Sequence, residues 1–110
     1  MKTNRTYWLH IRDAIGRIEE CSAAGRAEFF ATPHWQDAII RQLEIIGEAS
    51  QRLSSDLRET TPEIPWRRIC GLRDVLIHHN MGVDLEAVWA VVETGIPALK
   101  ESVEGMLSKQ

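Results

Sequence analysis

Residues 35–53 read WQDAIIRQLEIIGEASQRL, and within them Ile39, Leu43, Ile46, Ser50 and Leu53 recur every three or four positions. That spacing predicts one mainly apolar face on a helix of about five turns. The same period runs outward in both directions. Upstream, Tyr7, Ile11, Ala14, Ile15, Ile18 and Cys21 mark a first amphipathic helix that stops near Gly25. A short second piece carries Phe29 and Phe30 and ends at Thr32-Pro33. Downstream, the stretch Ser54 to Pro62, rich in Ser, Thr and charge, reads as a loop. Pro65 fits the first turn of a fourth helix, where its missing N–H costs nothing, and Asn80-Met81-Gly82 supplies a stop. Asp84 is placed to cap a last helix carrying Leu85, Val88, Trp89, Val92, Ile96, Leu99, Val103 and Leu107, and Pro97 inside it predicts a kink near residue 93. No run alternates apolar and polar residues as a strand would. The expected fold is all-α, an up-and-down bundle of four main helices with a short extra helix.

The chain of 110 residues, 44% apolar and 26% charged, has the length and composition of one domain, expected to span residues 1–110. Its formal charge of −3 lacks the basic excess that non-specific binding to long nucleic acid needs, so any such contact must come from a local patch. Cys21 and Cys70 are too few for a disulfide framework and read as reduced core residues of a cytosolic protein. The first residues meet charge again at Arg12 and Asp13 before a signal peptide develops, and no segment approaches the ~20 apolar residues of a membrane span. A bundle this small leaves apolar surface over, which makes a homodimer the expectation.

The residues that carry chemistry lie in IPWRRICGLRDVLIHHN, residues 64–80. Arg73 and His78 stand there in an R-x4-H arrangement, followed by GVDLEAVW at residues 82–89. With the block IRQLEIIGEA at residues 40–49, these phrases resemble the HepT-like branch of the HEPN (higher eukaryotes and prokaryotes nucleotide-binding) proteins, whose signature is R-x4-H, usually R-N-x3-H-x-Y. R-x4-H alone is a weak signal; three blocks in order over nearly the whole chain make a strong one. The resemblance implies a helical dimer acting as a metal-independent ribonuclease toxin, with Arg73 and His78 as catalytic pair and a small nucleotidyltransferase antitoxin of the MntA type as partner. It also implies silencing by adenylylation of the tyrosine in H-x-Y. Here that position is Asn80, and the only tyrosine is Tyr7.

The residue types suit metal-free RNA cleavage, which needs proton transfer at the 2′-hydroxyl and the leaving 5′-oxygen and a fixed cation for the phosphate. His78 titrates in the useful range, and Arg73 offers a fork of donors matched to phosphate oxygens. Five positions on a straight helix rotate by about 140°, which puts the two on different faces. Either the helix ends at His78, which the Asn80-Met81-Gly82 stop favours, or the site is composed across a dimer interface, and the two are compatible. Asp74, four residues before His78, is spaced to orient its imidazole or to pair on the surface. Asn80 lies seven residues from Arg73, on roughly the same face.

Asp37, Arg41, Glu44 and Glu48 fall within roughly 60° of arc on the third helix, flanked by Ile40 and Ile45. Such a stripe is either a solvated face laced with ion pairs or the lining of a polar cleft near Arg73; the bordering isoleucines and the match to the family block favour the cleft. Arg67 and Arg68 beside Trp66 are the candidate basic patch for RNA phosphates. His78 and His79 diverge by about 100° and cannot readily share a metal ion, so no metal and no cofactor is expected. His10 and His34 read as ordinary surface or cap residues, and Trp8, Trp35, Trp66 and Trp89 as core or interface packing. A second functional class stays open: a non-catalytic helical module that binds a nucleotide or pairs with the nucleotidyltransferase.

Overall fold

The computed structural model describes residues 4–62, 64, 66, 67, 69 and 84–108. Among these the fold is all-α: α1 (Asn4–Ser22), α2 (Arg26–Ala31), α3 (Pro33–Arg52), α4 (Ser55–Glu59), α5 (Leu85–Ala90), a π-helical turn (Val91–Gly95) and α6 (Ile96–Ser108). The fourth main helix expected from Pro65 lies outside the described residues, except that Trp66, Arg67 and Ile69 are helical.

Alpha-helices 1 and 3 form the principal packing pair, and α6 closes the other flank of α1. Both pairs run antiparallel, because Asn4 meets Ser54 at one end of α1 and Glu19 meets Lys100 near the other. Trp8, Ile11, Ile15 and Ile18 from α1 and Ile39, Leu43 and Ile46 from α3 are almost wholly removed from water. Ile96, Leu99 and Val103 bring the face of α6 into the same core. Burying side chains of this size contributes roughly 1.5–3 kcal/mol apiece.

The ends of the helices are fixed by specific groups. Gly25 takes φ +93°, a backbone conformation costly for residues with a Cβ, and so lets the chain turn from α1 into α2. Pro33 occupies the first turn of α3, which therefore begins two residues before Trp35. The Gln36 side-chain amide donates to the Phe29 and Phe30 carbonyls at 3.0 and 3.2 Å, satisfying the open end of α2. Asp84 caps α5 as expected, its carboxylate accepting from the Ala87 N–H at 3.2 Å.

Three expectations need correction. Residues 54–62 are not all loop: Ser55–Glu59 form α4, which starts where the Ser54 hydroxyl accepts from the Leu57 N–H at 3.3 Å. Five residues with Leu57 as their one apolar member are too short to show a period, so only the cap betrays them. Tyr7 is half-buried, and the position sealed at the start of α1 is Trp8, which packs on Trp66 with ring centroids 5.7 Å apart. Cys21 is likewise only half-buried, at the edge of the core, and Cys70 lies outside the described residues.

Pro97 makes itself felt as the π-helical turn. Proline has no N–H to donate to the carbonyl of Glu93, and its ring crowds that group. The ladder widens instead, with the Ile96 N–H reaching the Val91 carbonyl five residues back. Across the bundle, the Lys100 ammonium donates to Glu19 at 2.9 Å, and this hydrogen bond together with the carboxylate's charge holds the lysine above its ordinary pKa. No helix among the described residues is long and apolar enough to cross a membrane.

Two buried polar groups, the Trp8 indole N–H and the Ser50 hydroxyl, find no hydrogen-bond partner among the described residues. A buried hydroxyl left unpaired costs about 1–3 kcal/mol. Ser50→Ala is therefore expected to leave stability unchanged or to raise it, whereas Leu43→Ala, which empties a sealed core position, should lose about 2–5 kcal/mol. Urea denaturation followed by circular dichroism reads both; a loss of 2 kcal/mol or more for Ser50→Ala would mean that its hydroxyl is paired.

Candidate active site

The outer face of α3 carries the charged stripe. Its buried residues Ile39, Leu43, Ile46 and Ser50 point to one side, and at 100° per residue Asp37, Arg41, Glu44 and Glu48 point the opposite way. Arg41 approaches Glu44 at 3.7 Å, and Arg52 approaches Glu48 at 3.9 Å. The Glu44 side chain is only 25% exposed against 67% for Arg41, and Ile40 and Ile45 beside the stripe are partly buried against the core. Both pairs have the one-turn spacing of a solvated helix face, where such contacts contribute about 0.3–0.5 kcal/mol.

The Glu48 end of the stripe opens into a groove of about 310 Å³ between α1 and α3, lined by Tyr7, His10, Ile45, Glu48, Ala49 and Arg52. The Tyr7 and His10 rings stand nearly perpendicular, 85° apart with centroids 6.1 Å from each other. Sequence reasoning missed this juxtaposition, since it assigned Tyr7 to the core and His10 to ordinary surface. The two rings are an i,i+3 pair within α1, a spacing visible in the sequence; that they face Glu48 and Arg52 of α3 depends on the register of two helices, which periodicity within either one does not carry.

Of the basic pair at Trp66, Arg67 is exposed on helical backbone and Arg68 lies outside the described residues. Trp66 itself is anchored: its indole N–H donates to the buried Thr61 hydroxyl at 2.8 Å, and that hydroxyl donates in turn to the Leu57 carbonyl at 3.1 Å. Ile69 is also buried. The tryptophans otherwise pack as expected, Trp89 stacking on Phe29 at 5.2 Å and donating to Glu93 at 3.2 Å, with Trp35 half-buried beside His34. Arg73, Asp74, His78, His79 and Asn80 lie outside the described residues. Among the described residues no group of three His, Cys, Asp or Glu side chains is gathered as a metal site would require.

The family model described as ribonuclease HepT-like matches residues 11–106, a span that contains the charged stripe, Arg73 and His78. The chain belongs to the HepT-like ribonuclease family. It is 41% identical over 104 residues to the "Probable ribonuclease HepT" of Thermococcus cleftensis, covering 94% of each chain. It is 37% identical over 111 residues to a "Putative RNase" of Caldanaerobacter subterraneus subsp. tengcongensis, covering 100% of this chain and 99% of that one. A third relative, the "Gamma-glutamylcyclotransferase and putative RNase" of Methanocaldococcus jannaschii, is 42% identical over 103 residues; these make up 93% of this chain and 46% of that protein, so the match spans just under half of it. No solved structure matches.

Proposed function

We propose that this HepT-like chain is a cytoplasmic endoribonuclease that cleaves RNA without a metal ion or cofactor, from a site that two copies of the chain build together. The observation that carries this reading is the family match over residues 11–106, a span that includes the R-x4-H residues Arg73 and His78. In the reaction, the His78 imidazole takes the proton of a 2′-hydroxyl as that oxygen bonds to phosphorus, and passes it to the 5′-oxygen as the P–O bond breaks. The products are a 2′,3′-cyclic phosphate and a free 5′-hydroxyl. Arg73 holds the charge that builds on the phosphate with paired N–H donors.

The 140° between positions 73 and 78 on a straight helix is the reason for two copies: Arg73 of one protomer works with His78 of the other. Asp74 orients the imidazole, and Asn80, seven residues along the chain from Arg73, hydrogen-bonds the RNA. Arg67 and Arg68 take further phosphates, and Arg41, Glu44 and Glu48 border the RNA path. Physiologically the chain acts as the toxin of a toxin–antitoxin pair, restrained by a nucleotidyltransferase of the MntA type.

The purified protein is expected to cleave single-stranded RNA in EDTA and leave cyclic phosphate ends, with Arg73→Ala and His78→Ala each lowering the rate by about 10²-fold or more. Cleavage that persists in both variants, or that stops on chelation, would contradict the mechanism.

Silencing through position 80 is chemically closed to this chain, because an amide is a poor nucleophile toward the α-phosphate of ATP whereas a phenol is a serviceable one. Restraint therefore comes from tight association, or from modification elsewhere. Incubated with the nucleotidyltransferase and ATP, Asn80→Tyr is expected to gain adenylyl mass on residue 80 that the wild type does not. Peptide mapping that places an adduct on Asn80 of the wild type would overturn this.

A further inference from the structure

The groove between α1 and α3 brings apolar, aromatic and oppositely charged side chains together. Its floor is apolar, formed by Ile45 and Ala49; one wall carries the perpendicular rings of Tyr7 and His10, and the other carries Glu48 and Arg52. A second groove, of about 200 Å³ between α1 and α6, has no aromatic wall, and its Lys100 is already held by Glu19. We propose that the Tyr7–Glu48 groove is a binding subsite for one guanine nucleotide of single-stranded RNA.

Several observations converge on that ligand. Unpaired bases are held by proteins on aromatic side chains, with a cation nearby for the backbone, and the groove supplies both. A base lying flat on one of the two rings is met edge-on by the other. The space, about 310 Å³, is at the small end of ligand sites and suits a single planar base with its sugar rather than a longer stretch. Glu48 then selects the base. An ionised carboxylate only accepts hydrogen bonds, so its two oxygens call for two donors side by side. Guanine alone among the four bases presents such a pair, N1–H beside the N2 amino group; adenine, cytosine and uracil each set an acceptor next to the donor.

Arg52 is available for the phosphate. Its approach to Glu48, 3.9 Å between half-exposed groups, is a loose pair of the sort that contributes little to stability. A bound nucleotide replaces it, the base taking the carboxylate and the phosphate taking the guanidinium.

This inference rests on the ribonuclease reading for its choice of RNA, and a test by direct binding separates the two. Titrating the full chain with 5′-GMP, 5′-AMP, 5′-CMP and 5′-UMP, followed by NMR, should show 5′-GMP binding about tenfold more tightly than the others, with shifts centred on Tyr7, His10 and Glu48. Glu48→Gln, whose amide sets a donor beside an acceptor, should lose that preference and gain affinity for 5′-AMP. Arg52→Gln should weaken 5′-GMP but not guanosine. Tyr7→Ala should weaken all four nucleotides, and melting curves confirm that each variant is folded. A tetranucleotide with one guanosine should bind more tightly than 5′-GMP itself, which marks RNA as the natural occupant; 5′-GMP binding more tightly than the tetranucleotide would overturn the assignment to RNA. Equal binding of the four nucleotides, or shifts mapping away from the groove, would overturn the proposal and leave RNA cleavage as a reading untouched. A chain that binds 5′-GMP as described yet leaves RNA intact would remove the ribonuclease reading and keep the groove.

Discussion

Everything described in this molecule hangs on the antiparallel seam between α1 and α3. Seven large side chains meet along it with almost no exposure, and a reciprocal pair of hydrogen bonds at its end sets the register: the Asn4 side-chain Nδ2 donates to the Ser54 hydroxyl, and the Ser54 backbone N–H donates to the Asn4 side-chain Oδ1, both at 3.2 Å. The same Ser54 hydroxyl starts α4, so one residue ends the seam and launches the next element. Once the apolar face of α3 is committed to α1, its charged stripe has to face outward, and the side chains at the rim of the seam have to line a groove. The candidate RNA surface is thus the reverse side of the packing that makes the fold.

Most of this was legible in the sequence because the long helices bury one face each, and burial on one face leaves a period of three and four. The face of α3, from Ile39 to Leu53, is where the pattern placed it, including the unexpected polar member Ser50. Where a partner distant in sequence decides, the pattern is mute. Tyr7 sits closer to the centre of the apolar arc of α1 than Trp8 does, yet Trp8 is sealed because Trp66 covers it. Pro97 announced a disturbance, but whether the helix bends or widens depends on how α5 and α6 are held on either side. The arrangement adopted keeps both Val92 and Ile96 in the core.

The site divides along the same line. Arg73 and His78 stand out in the sequence by their residue types and by the family blocks around them, and both lie outside the described residues. The stripe of Arg41, Glu44 and Glu48 was legible as a stripe, and the structure resolves it into ion pairs one helical turn apart with one end opening on the groove. The groove itself was not legible, because Tyr7 and His10 of α1 come to face Glu48 and Arg52 of α3 only through the register of the seam. Trp66 and Ile69, buried beside the exposed Arg67, tie the block that carries Arg73 in sequence to the core through Trp8 and Thr61.

The central claim is that two chains build one RNA-cleaving site, and complementation between inactive variants addresses it most directly. Arg73→Ala and His78→Ala proteins, each inactive alone, are mixed and allowed to exchange subunits before RNA cleavage is measured in EDTA. If Arg73 of one protomer works with His78 of the other, each mixed dimer contains one intact site, and activity returns to about a quarter of the wild-type level. If the mixture stays as inactive as its components while subunit exchange is demonstrated, both residues act within a single chain and the shared site is wrong.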